Sequence, residues 1–115
     1  MLRVMLISML EKCGYTTRET SNGHGAIQLK KTCRFRLVIT DISMPGMDGL
    51  EVIMEHTRTS PDMPLLAMTG DSHYANPQDT LKMARILGSH AILEKPFGMP
   101  EFLETVYQLI TPSGV

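Results

Sequence analysis

Apolar positions along the chain fall into two rhythms, helical spacing and short continuous runs, and these alternate from one end to the other. Leu2, Met5, Leu6, Met9, Leu10 and Cys13 recur at steps of three and four residues, one face of a helix, and Gly14 supplies its C-terminal stop. Thr16 to Thr20 is short and partly β-branched, which predicts a strand ending at the turn Ser21-Asn22-Gly23, with a modest helix near Ala26 to Lys31 after it. Leu37-Val38-Ile39-Thr40 is the continuous run of a parallel strand covered on both faces, and Asp41 follows it directly.

The alternation continues. A loop from Ser43 to Gly49 precedes a helix marked by Leu50, Ile53 and Met54, and Asp48-Gly49 reads mainly as a turn. Leu65-Leu66-Ala67-Met68-Thr69 is a second buried run, broken by Gly70 and a polar loop to about Gln78. Leu81, Ala84 and Leu87 give a helix its inner face and Gly88 its stop. Ala91 to Leu93 predicts a last short strand before Glu94-Lys95-Pro96. Phe102, Leu103, Val106, Leu109 and Ile110 line a helix that starts at Pro100 and ends before Pro112. Strand and helix in turn predict a parallel α/β sheet with helices on both faces, where ligands sit beyond the carboxyl ends of the strands.

Composition narrows the classes. The 115 residues suit one domain over 1–115, and 43% hydrophobic with 20% charged residues is ordinary for a globular chain. Net charge is −1 and the lysines and arginines are scattered, which argues against nucleic-acid binding. The apolar start is too short to span a bilayer and lacks a small-x-small cleavage site, so no membrane segment is expected and the cytoplasm is the expected compartment. Cys13 and Cys33 show no metal or disulfide spacing and are expected as buried small apolar residues. His24, His56, His73 and His90 have no HxxxH spacing, so surface or capping roles are expected of them. Of the ten methionines, Met5, Met9 and Met54 are expected on inner helix faces.

Three polar residues close apolar runs at one sheet edge: Asp41, Thr69 and Lys95. Each alone reads as a cap, a strand residue or a solvated side chain. In this order, with Asp41-Ile42-Ser43-Met44-Pro45-Gly46-Met47-Asp48-Gly49 and Lys95-Pro96-Phe97 around them, they resemble the response regulator receiver family from Met1 to about Ile110. The resemblance implies a flavodoxin-like, doubly wound sheet and a phosphoacceptor role for Asp41. It further implies that Thr69 hydrogen-bonds the phosphoryl group, with Gly70 leaving room, and that Lys95 supplies positive charge from a turn with a cis peptide bond to Pro96. Magnesium would take Asp41 and the Ser43 backbone carbonyl. The implied partners are a sensor histidine kinase or histidine phosphotransfer protein and a downstream target.

The family ordinarily places a strand ending in two acidic residues before the first helix, and no aspartate or glutamate precedes Glu11. A weakened magnesium site is therefore expected, and an edge of Leu37-Val38-Ile39-Thr40 left open predicts a homo-oligomer. Ile92 stands where the family often carries an aromatic residue, and Asp71 to Gln78 is long for its loop. With only Thr111 to Val115 after the last helix, no output domain is expected. The alternative is a degenerate receiver serving as a phosphorylation-independent interaction module. An aspartate-nucleophile phosphatase ranks last, since Ser43 stands at the second aspartate of its DxD pattern.

Overall fold

Leu65, Leu66, Ala67 and Met68 are four apolar residues in succession, and all are buried, as in a strand covered on both faces and paired on both edges. The computed structural model describes residues 2–20, 23–41, 48–69, 85 and 88–111. Within them the chain forms α1 (Leu2–Lys12), α2 (Gly23–Thr32), β1 (Val38–Asp41), α3 (Asp48–Thr59), β2 (Leu65–Thr69), β3 (Ala91–Glu94) and α4 (Met99–Ile110). The strands make one parallel sheet in the order β1-β2-β3, with Val38 opposite Leu65 and Leu66 opposite Ala91.

Alternation along the strands divides the core in two. Ile39, Leu66, Met68, Ala91 and Leu93 pack on Leu6 and Leu10 of α1 and on Phe102 and Val106 of α4. Val38, Leu65, Ala67 and Ile92 pack on the other side with Ile53 of α3. Helices thus cover both faces, the doubly wound α/β arrangement expected from the sequence. Phe102 and Val106 lie four apart on α4 and are fully buried, each contributing about 1.5–3 kcal/mol by the area removed from water.

Two glycines adopt positive φ. Gly14 has φ +92°, its N–H donates to the Glu11 carbonyl, and the Tyr15 N–H donates to the Leu10 carbonyl at 3.1 Å. This closes α1 in a Schellman motif, with Tyr15 packed on the cluster that holds Leu10. Gly88 has φ +113° and lies against the Thr57 side chain, where a Cβ would collide.

The structure corrects several expectations. Thr16 to Thr20 is not a strand. A strand needs ladder partners, and a groove of about 740 Å³ separates this segment from the outer edge of β1, lined by residues such as Tyr15, Thr17, Ile39, Val52, Met68 and Val106. For the same reason β1 is only half-buried rather than covered on both faces. Asp48 and Gly49 are not a turn but the first residues of α3. Met5 and Met54 are exposed, at 51% and 53%, because each sits a step off the buried stripe of its helix. Cys13 and Cys33 are exposed, each falling just beyond a helix end. His56 is neither a surface nor a capping residue; it is 1% exposed and hydrogen-bonded on both ring nitrogens. His73, the Asp71 to Gln78 loop and most of the helix expected over Leu81 to Leu87 lie outside the described residues. No helix among the described residues is long and apolar enough to cross a membrane.

Candidate functional site

The three strands end together because they run parallel and in register, and this brings the predicted polar residues to one edge. Asp41 closes β1 opposite Met68, Thr69 closes β2 opposite Glu94, and Lys95 follows the last residue of β3. β1 and β3 lie on either side of β2, about 10 Å apart at ordinary strand spacing. The Lys95 side chain spans that gap and places Nζ 2.6 Å from Asp41 Oδ2, donating a charge-assisted hydrogen bond. Both side chains are mostly covered, at 16% and 29% exposure, so the pair is only partly screened by solvent.

The lysine is held by its own backbone. Lys95 N–H donates to the Thr69 carbonyl at 2.6 Å, tying the end of β2 to the turn after β3. The Lys95–Pro96 peptide bond is cis, as the resemblance implied. Behind the turn Phe97 stacks on Phe102, ring centroids 5.9 Å apart, and Phe102 belongs to the main core. Packing therefore anchors the turn to α4 two residues from Lys95.

Thr69 is fully buried, and its Oγ1 finds no hydrogen-bond partner among the described residues. A buried hydroxyl left unpaired costs about 1–3 kcal/mol, so this position is not explained by stability. A donor and acceptor held ready at the sheet edge suits a ligand oxygen instead.

The edge thus joins Asp41, Thr69 and Lys95, while Ser43 and Gly70 lie outside the described residues. Among the described residues no three His, Cys, Asp or Glu side chains cluster as a metal site. Asp41 contributes a carboxylate, and magnesium accepts one carboxylate when waters and phosphate oxygens complete its shell. Asp41 would supply one carboxylate to such an ion. What reasoning from the sequence missed is the backbone bond from Lys95 to Thr69, which carries no residue signature.

The chain matches the response regulator receiver domain family over residues 1–107. It is similar to the response regulator receiver protein CpdR of Brucella abortus, 32% identical over 111 residues that cover 95% of this chain and 88% of CpdR. The crystal structure of the receiver domain of NtrX from Brucella abortus superposes with a TM-score of 0.83 at 23% identity, covering 95% of this chain and 89% of that one. The response regulator TrrA of Thermotoga maritima, solved in complex with Mg2+ and BeF, superposes with a TM-score of 0.77 at 30% identity, covering 94% and 89%.

Proposed function

Because the chain belongs to the response regulator receiver family of two-component signalling, we propose that Asp41 accepts a phosphoryl group and that the change at this edge switches binding of a partner protein. The donor would be a phosphohistidine on a sensor histidine kinase or a histidine phosphotransfer protein. The observation that carries the reading is the juxtaposition at one sheet edge of an aspartate paired to a lysine and a buried threonine hydroxyl without a partner among the described residues.

The chemistry is nucleophilic transfer and release. An Asp41 carboxylate oxygen forms a bond to phosphorus as the phosphorus–nitrogen bond of the donor breaks, leaving an acyl phosphate. Lys95 remains beside the carboxylate and offsets the added negative charge. Magnesium, when bound by Asp41 and the Ser43 carbonyl, supplies further charge neutralisation at the phosphoryl oxygens. Thr69 donates its free hydroxyl to a phosphoryl oxygen, which ends its burial without a partner and draws the end of β2 toward the group. Water later cleaves the acyl phosphate and resets the switch. Hydrolysis of its own phosphoryl group would be the domain's one catalytic act, and binding rather than turnover would be its output.

Residues 1–115 would act as one receiver domain. Self-association through β1 belongs to the same proposal. The Val38 N–H donates to the Pro64 carbonyl at 3.1 Å, so alternation turns the backbone groups of Leu37 and Ile39 away from β2 and toward the groove.

Titration with magnesium and beryllium fluoride, followed by amide NMR shifts, tests the reading; TrrA was solved with that pair. Shifts concentrated at Asp41, Thr69 and Lys95, absent in Asp41→Asn, are expected. A silent spectrum favours the second reading, a phosphorylation-independent interaction module, which the lack of a three-ligand metal cluster among the described residues supports.

A further inference from the structure

The end of the sheet opposite Asp41 holds two histidines whose ring nitrogens each face a defined partner. His56 Nε2 lies 2.6 Å from the Met63 carbonyl, and a carbonyl only accepts, so Nε2 carries the proton. The neutral ring then has Nδ1 as an acceptor, and Lys30 Nζ of α2 donates to it at 2.8 Å. His90 reaches the same answer from the other nitrogen. The Leu65 backbone N–H only donates, and its acceptor is His90 Nδ1 at 3.1 Å, so His90 Nε2 carries the proton and donates to the Pro61 carbonyl at 3.2 Å.

Both rings are therefore the same neutral tautomer, set edge to face with centroids 6.5 Å apart. Together they hold the turn from Ser60 to Pro64 that joins α3 to β2, taking the carbonyls of Pro61 and Met63 and the first N–H of β2. The Pro64 carbonyl at the end of this turn accepts the Val38 N–H of β1. We propose that His56 and His90 form an acid-sensitive latch on the α3–β2 turn, closed while both rings are neutral and opened by proton uptake on either Nδ1.

The mechanism is a clash of donors. A proton on His56 Nδ1 would face the Lys30 ammonium, and a proton on His90 Nδ1 would face the Leu65 N–H. The charged groups around the latch are Lys30 and Lys31 from α2, Glu55 and Arg58 from α3, and Asp62 in the turn itself. Glu55 is engaged by Arg58, with Nε 3.2 Å from Oε2. Burial lowers the Lys30 ammonium below its ordinary range while Glu55 opposes the change, and burial likewise favours the neutral form of His56. Opening would loosen the start of β2 and the first bond of β1, at the edge remote from Asp41, so the latch stands independently of the phosphoryl reading.

Long-range 15N–1H correlation of the histidine rings between pH 8 and pH 5, with hydrogen exchange at the Leu65 amide corrected for its intrinsic pH dependence, tests the latch on the whole chain. Both rings are expected as Nε2–H tautomers at pH 8, with Leu65 protection falling at least about tenfold, the equivalent of one pH unit of linkage, as the pH is lowered. In His56→Gln/His90→Gln the fall should disappear. An Nδ1–H tautomer on either ring at pH 8, or ring titration with Leu65 protection unchanged, overturns the proposal. These wild-type readings stand even if the double variant does not fold.

Discussion

Lys95 extends across the end of β2 to set its ammonium 2.6 Å from the Asp41 carboxylate, while its backbone N–H holds the Thr69 carbonyl. One residue thereby fixes the positions of the other two. Removing the ammonium in Lys95→Met takes a charge-assisted hydrogen bond from a largely covered carboxylate. The pair lies between a fully exposed and a fully buried one, so a loss of about 1–3 kcal/mol in urea unfolding is expected at pH 7. Phosphoryl uptake should slow as well. Unchanged stability with unchanged uptake would remove Lys95 from the account.

Thr69→Val separates function from stability. The hydroxyl it deletes is buried and has no partner among the described residues, so the variant is expected to be as stable as wild type or more stable by about 1 kcal/mol. Asp41 should still take phosphate, but amide shifts on phosphorylation should no longer spread beyond Asp41 along β2. A clear loss of stability would mean that the hydroxyl has a structural partner.

The open edge of β1 predicts that the chain is an oligomer at micromolar concentration by light scattering. Ile39→Pro is expected to make it a monomer. Its N–H faces the groove, so proline there removes a donor from the edge and leaves the bonds to β2 in place. A wild-type monomer would contradict self-association through this edge.

Stability should depend on pH in a defined direction. Burial holds His56 below the ordinary histidine value of 6.5, with Lys30 and His90 adding to the effect and the Met63 carbonyl opposing it. Between that lowered value and 6.5 the unfolded chain binds more protons than the folded one. The contribution of His56 is thus complete above pH 6.5 and is lost as pH falls toward the folded value. Denaturant unfolding at pH 7.5 and at pH 5.5 checks this: the difference should shrink in His56→Gln, and an equal difference in both proteins would rule out His56 as its source.

Much of this was legible in the sequence because it is written in local patterns. Continuous apolar runs marked β1, β2 and β3, and residues four apart marked α1 and α4, since burial on both faces or on one stripe leaves that trace. Asp41, Thr69 and Lys95 were found because each follows such a run. Thr16 to Thr20 was misread because β-branching reports what a strand tolerates, whereas a strand forms only where a neighbour supplies ladder bonds. His56 was misread for a related reason: its partners Lys30 and Met63 come from α2 and from a turn, and no spacing in the chain brings them together. Met5 and Met54 show how a helical stripe drifts, one position off its centre being enough to face water.

The most direct test of the central reading is intact-mass measurement of the chain after incubation with acetyl phosphate and magnesium, beside Asp41→Asn. A gain of one phosphoryl group, dependent on magnesium and absent in the variant, is the predicted result. A wild-type mass that does not change at any magnesium concentration, or a gain that persists in Asp41→Asn, would contradict Asp41 as the phosphoacceptor.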